Sequence, residues 1–301
     1  MTACVDDHHP SPPQTEMRPA ERVDRHVRAG DDIGRNGGGG IIGNEFCAGH
    51  GRRGDQKAAG SPGEMPMGIA AKVLTFDCYG TLVDWESGIL AALQPWLLCH
   101  QVMVTNDALL EVYAELEPAV ESATPRLAYR DVLREVHNRL AARFGIEPDE
   151  AEAERFADSV RDWPVFPDTP PALRRLADGH RLMIVSNVDQ RSFEGSARLL
   201  GVAFDAVVTA ESVGAYKPDL RMFERAQQVA SEWGLGRDDM LHVAQSLYHD
   251  HVPAARIGLR SVWINRRAGR AGSGATAPPD GEVCPVAEFP DMATFAEWMC
   301  G

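Results

Sequence analysis

Apolar positions along this chain fall into two kinds of pattern, and the order of those patterns already describes an architecture. Val73-Leu74-Thr75-Phe76 is a short, partly β-branched run, as expected of a strand buried on both faces of a parallel sheet. The spacing then turns helical. Ile89, Leu90, Leu93, Trp96 and Leu97 form one stripe, and Leu109, Leu110, Tyr113 and Leu116 a second. Val132, Leu133, Val136, Leu140 and Phe144 form a third, and Phe156 with Val160 marks a fourth that ends near Trp163-Pro164. Such stripes are packing faces of amphipathic helices. From Pro167 strand and helix alternate: a helix through Leu173 and Leu176, then strands at 182–185, 206–209, 240–244 and 261–264 with helices between them. The run 261–264 is the last clear strand, 268–279 reads as a Gly/Ala/Pro-rich loop, and 291–299 as a terminal helix.

This alternation predicts an α/β fold around a parallel sheet. A core domain is expected from residues 67–87 and 164–301, with a helical domain inserted at 88–163. Residues 1–66 fit neither pattern. They mix Arg with Asp and Glu, contain Gly37-Gly38-Gly39-Gly40, and have Phe46 as their aromatic residue. Such a segment buries too little apolar surface to offset its ordering entropy, and a disordered extension is expected. Met65 and Met67 stand just before the first core strand and suggest a later start of translation. A disordered regulatory arm is the other reading, and His8-His9 reads as a solvated pair within it.

Of the 301 residues 44% are hydrophobic, and the formal net charge is −14. That charge argues against nucleic acid or an anionic membrane as partner. No apolar run approaches a membrane span of about 20 residues, and the polar N-terminus lacks the apolar core of a secretory signal. Six scattered cysteines without a C-x-x-C pair suit a reducing compartment, so a cytoplasmic protein is expected. A homodimer is left open.

The candidate chemistry sits where strand runs end. Asp77 follows the first strand, the position at which open α/β sheets place ligands, and an aspartate there is suited to nucleophilic attack. Gly80 permits a tight turn, and the Thr81 hydroxyl is free to hold a carboxylate. Ser186 and Asn187 follow the second run as neutral hydrogen-bonding groups. Lys217 in Tyr216-Lys217-Pro218 supplies a cation able to keep Asp77 ionised. Asp250 lies beyond the fourth run, flanked by His249 and His251. Singly these are ordinary caps and solvated charges; together, at successive strand ends, they form a constellation.

In these four stretches the sequence resembles the haloacid dehalogenase superfamily: Phe76-Asp77-Cys78-Tyr79-Gly80-Thr81, Val185-Ser186-Asn187, Tyr216-Lys217-Pro218-Asp219, and Val243 to Asp250. The resemblance spans roughly 69–266. It implies a Rossmann-like core with a type-one helical cap, and Asp77 as a nucleophile forming an aspartyl ester that water hydrolyses. Phosphatases of the superfamily carry a second Asp two residues after the nucleophile, where Tyr79 stands here, and a magnesium-binding Asp where Gln245 stands. A neutral amide is a poor ligand for a hard cation. The pattern instead looks like the 2-haloacid dehalogenase branch, which implies a small organic acid as substrate and no cofactor. Asp77, Lys217, Asp250, Thr81 and Ser186 are then the expected catalytic residues, with Tyr79, Asn187, Gln245 and His249 at the substrate and no metal ligand. That branch uses a cap arginine, yet Glu111-Val112-Tyr113-Ala114-Glu115-Leu116-Glu117 contains none; Arg126 and Arg130 are the alternatives. A magnesium-dependent phosphatase and a non-catalytic binding protein remain as competing readings.

Overall fold

The computed structural model describes residues 69–270, 274–281 and 283–301. The expectations for residues 1–66, including the alternative starts and the His8-His9 pair, lie outside the described residues.

Among the described residues six strands form one parallel sheet in the order β3-β2-β1-β4-β5-β6. They are β1 (Val73–Phe76), β2 (Arg181–Ser186), β3 (Ala206–Thr209), β4 (Met240–Ala244), β5 (Ser261–Ile264) and β6 (Ala287–Phe289). β1 lies at the centre, with Phe76 in register with Ile184 of β2 and Val243 of β4. All four of its side chains are buried, which explains why it reads apolar without alternation. Burying its larger side chains stabilises the fold by roughly 1.5–3 kcal/mol each. The register brings the carboxyl ends of β1, β2 and β4 level, so the residues just beyond them gather at one edge. The strand β6 was not legible: Ala-Glu-Phe is too short to show a period, and it exists by pairing with β5.

Between β1 and β2 the chain forms α1 (Trp85–Cys99), α2 (Asn106–Ala123), α3 (Tyr129–Phe144), α4 (Glu150–Ser159) and α5 (Thr169–Ala177). No strand is present from residue 89 to 160, as the periodicity indicated. The helices begin where their caps dictate. Asp84 accepts from the Ser87 amide, Thr105 from Ala108, and Asp149 from Glu152. Gly145, at φ 71°, ends α3 in the left-handed conformation that a Cβ disfavours.

The two chain segments entering and leaving the helical insert run side by side. Val83 bridges Val165, the Asp84 amide donates to Pro164 O (2.7 Å), and the Phe166 amide to Leu82 O (3.1 Å). Trp163 then packs directly on α1 at Gly88. A Cβ there would lie 2.3 Å from the indole, so only glycine permits this approach.

The second half completes the alternation with α6 (Gln190–Leu200), α7 (Ala210–Val213), α8 (Leu220–Glu232), α9 (Val252–Ile257) and α10 (Met292–Cys300). Among the described residues no helix is long and apolar enough to cross a membrane.

Candidate active site

Asp77 follows β1 directly, and its amide donates to Val243 O of the neighbouring strand (3.1 Å). The turn after it reverses the chain at Gly80, whose φ of 92° suits glycine; a Cβ would also crowd the Trp85 indole and the Gln245 side chain. That turn returns Thr81 to Asp77. The Thr81 hydroxyl donates to Asp77 Oδ2 at 2.6 Å and accepts from the Gln245 amide at 2.9 Å. The carboxylate is thereby oriented by a residue that is itself held by β4.

The other carboxylate oxygen faces a cation. Lys217 Nζ donates to Asp77 Oδ1 (2.7 Å), to Asp250 Oδ1 (2.7 Å) and to Val185 O (3.0 Å). Its three protons are all used, and the side chain is buried. Asn187 fixes the backbone of this lysine: its Oδ1 accepts from the Lys217 amide (2.6 Å) and its Nδ2 donates to Lys217 O (3.1 Å). Two strand ends are thus tied into one frame.

Asp250 is anchored by side chains of the sheet itself. His242 of β4 places Nε2 2.9 Å from Asp250 Oδ1 and Nδ1 2.9 Å from Thr75 Oγ1. An ionised carboxylate can only accept, so Nε2 carries a proton and donates it to Asp250. Asp250 Oδ2 has no partner among the described residues.

Charge and burial compete at each group. Burial acts most strongly on Asp77 and raises its pKa; Asp250 adds to this, while Lys217 and Thr81 oppose it. For Asp250 burial also pulls upward, yet Lys217 and His242 together hold the carboxyl well below the usual range. Burial alone would lower Lys217, and its two carboxylates reverse this and raise it. His249 is lowered to about 4, chiefly by burial, and is neutral at pH 7.

The cavity above Asp77 has a volume of about 30 Å³, room for one or two waters. Its floor is Asp77, Tyr79, Ser186, Asn187, Lys217, Gln245, His249 and Asp250, and its roof comes from the helical insert. The nine residues anticipated from sequence therefore gather at one place, with Thr81 just behind Asp77. Their environments differ. The Tyr79 hydroxyl bonds Ser196 Oγ (2.9 Å), and the ring stacks with Tyr129. The Gln245 Oε1 accepts from Thr276 (3.1 Å). Ser186 Oγ and His249 Nε2 have no partner among the described residues. His251 does not reach the cavity: it links Ser261 Oγ (2.9 Å) to Ala244 O (3.0 Å) between β4 and β5.

The alternative arginines do not serve the site. Arg130 pairs with Glu154 and Asp158 of α4, and Arg126 is exposed; neither lines the cavity. What α2 contributes instead is Glu117 and Glu121, both buried. Tyr113 and Tyr129 donate to Glu117 Oε1 at 2.8 and 2.7 Å. Asn187 Nδ2 lies 3.3 and 3.5 Å from the two oxygens of Glu121. Burial pushes Glu117 up to about 7 and Glu121 well above its usual value. Sequence reading passed over both acids; the available signal was their i, i+4 spacing in line with Tyr113 on the apolar side of α2.

Comparison with known proteins agrees with this geometry. Residues 71–243 match the family model for haloacid dehalogenase-like hydrolases. The (S)-2-haloacid dehalogenase H-109 of Pseudomonas putida is 28% identical over 240 residues, covering 75% of this chain and 96% of that protein. A defluorinating L-2-haloacid dehalogenase superposes with a TM-score of 0.63 at 22% identity, over 77% of this chain and 96% of the other. The L-2-haloacid dehalogenase from Xanthobacter autotrophicus with chloropropionic acid covalently bound gives 0.63 at 18% identity, over 77% and 99%. At such identities the solved structures speak to the fold, and the family match covers more than half of the chain. The chain belongs to the haloacid dehalogenase-like hydrolase family.

Proposed function

We propose that this hydrolase displaces a leaving group from carbon by nucleophilic attack of Asp77, in the manner of a 2-haloacid dehalogenase acting on a small organic acid. The observation that carries the reading is the Asp77 setting. One oxygen is held by Lys217 and the other by Thr81, while the residue two positions on is the phenol Tyr79, engaged with Ser196. A carboxylate attacking saturated carbon needs to be ionised and aimed, and a halide leaves without a proton. Lys217 and Thr81 meet the first two needs, and no acid is required for the third.

In this scheme an Asp77 oxygen forms a C–O bond to the substrate as the carbon–halogen bond breaks, and the halide departs with the electron pair. Water then attacks the Asp77 carbonyl carbon of the ester. Asp250 Oδ2, buried and without a partner among the described residues, is the acceptor available to orient that water, and His249 Nε2 also lines the cavity as a neutral group. The bond between the ester oxygen and the carbonyl carbon breaks, the departing oxygen takes one proton of the water so that the product leaves as the hydroxy compound, the second proton passes to solvent, and Asp77 is restored as a carboxylate beside Lys217. Ser186 and Asn187 line the substrate position, and α1–α4 serve as a cap that must open to admit a substrate, since the closed cavity is so small.

A magnesium ion fits these residues poorly. Gln245 brings a neutral amide where a hard cation would need a carboxylate, and its oxygen already accepts from Thr276. A release screen over haloacids and phosphate esters tests the reading: halide release that persists in EDTA is expected, and EDTA-sensitive release of inorganic phosphate would overturn it.

A further inference from the structure

The roof of the cavity carries a charge pattern that the displacement chemistry does not use. Glu117 and Glu121 are each 4% exposed and line the same small space as Asp77 and Asp250. Four carboxyl groups therefore face it, against one cation. Lys217 cannot serve the glutamates, because its three donors are committed to Asp77, Asp250 and Val185 O.

The partners of the two acids are all donors. Tyr113 and Tyr129 both give their protons to Glu117 Oε1, and among the described residues no protein donor takes its other oxygen. Glu121 receives the Asn187 amide at long range, 3.3 and 3.5 Å, which leaves room for a better donor. Surroundings made of donors favour the acceptor form of a carboxyl group. Burial works against this and raises both acids, Glu117 to about 7, so the charged form that the donors favour needs a cation at the wall to complete it. A second observation points to a ligand rather than to a structural acid cluster. Ser186 Oγ, 1% exposed and lining the same cavity, has no hydrogen-bond partner among the described residues. A polar side chain so deeply buried normally has one.

We infer that Glu117 and Glu121 form the recognition wall for an ammonium group, so that the substrate is a small molecule bearing a cationic amine away from the carbon attacked by Asp77. This rests on the cavity being the substrate site proposed above, and it narrows the organic acids that fit to those that also carry an amine. An ammonium placed at the wall takes up the unused carboxylate oxygens and draws the two raised acids into their charged form. A simple carboxylate placed there would meet two acids and no free cation. Asn187 links recognition to chemistry, since the amide that reaches Glu121 also holds the Lys217 backbone.

The test is equilibrium binding of three probes of similar size, n-propylammonium, propionate and 1-propanol, to the full chain by titration calorimetry. Expected is n-propylammonium binding at least about ten-fold more tightly than propionate, about 1.4 kcal/mol. That preference should fall by a similar factor in Glu121→Gln and in Glu117→Gln, which keep the shape and remove the charge. Propionate binding as tightly as the ammonium, or no detectable binding of the ammonium, would overturn the inference on the wild-type protein alone, whatever the variants do. Binding needs no displacement step, so the two proposals fail separately. An ammonium preference in a protein without an Asp77 ester strikes the chemistry, whereas rapid turnover of simple 2-haloalkanoates with propionate preferred strikes the wall.

Discussion

Replacing Lys217 by Met removes one positive charge while keeping most of the side-chain length, and the consequence can be worked from the geometry. Nζ lies 2.7 Å from Asp77 Oδ1 and 2.7 Å from Asp250 Oδ1, with all three side chains buried. At an effective dielectric constant of about 20 each contact amounts to roughly 6 kcal/mol of attraction. Most of that offsets the desolvation of the charges, so the measurable loss on breaking such an arrangement is about 3–5 kcal/mol. Against a total stability of roughly 5–15 kcal/mol this is a large fraction. The pH dependence gives the sharper test. Without Lys217, burial and mutual repulsion raise both carboxyls in the folded protein above their unfolded values. Groups raised in this way cost stability as pH rises through their folded pKa, so the deficit of Lys217→Met should be larger at about pH 8 than at about pH 5. Urea unfolding of the two proteins at both pH values measures it. A deficit below about 1 kcal/mol, or one that does not shrink at the lower pH, would refute the reasoning.

Thr81→Val removes the donor to Asp77 Oδ2 and leaves a charged acceptor short of a partner. Such bonds contribute about 1.5–3 kcal/mol, so kcat/KM should fall between about 10- and 150-fold. Turnover of the wild type should decline as pH falls through the raised pKa of Asp77, because the proposed nucleophile is then protonated. In Thr81→Val that acid limb should move to higher pH, since a group holding the carboxyl down is gone; an unmoved limb in a pH–rate profile would count against the orienting role. Gly88→Ala should destabilise the fold by about 1–3 kcal/mol, because the new Cβ would meet Trp163 at 2.3 Å. An unchanged melting temperature would show that Trp163 shifts freely.

The parts of the structure that could be read from sequence are those encoded by local repetition. β1 and β4 are largely apolar runs, broken only by Thr75 and His242, because both faces are covered, and α1–α4 show stripes because one face is. Asp77, Ser186, Asn187, Lys217 and Asp250 were visible because each follows such a run at the same end of the sheet. What escaped detection depends on tertiary placement. β6 is three residues long and is defined by its neighbour. His242 and Thr75 look like strand filler, and only the closed structure shows them bonded in line to Asp250. Little in the sequence beyond their spacing sets Glu117 and Glu121 apart from the other acids of α2; the packing of that helix over the strand ends buries them.

The proposed covalent aspartyl ester is tested most directly by a single turnover in oxygen-18 water, with a haloacid substrate and enzyme in excess. Water attacking the ester carbonyl carbon should put the solvent label into Asp77 first, detectable by mass spectrometry of the peptide that contains it, while the product carries an unlabelled oxygen taken from the carboxylate. Label found in the product at first turnover, with none in Asp77, would contradict attack by Asp77.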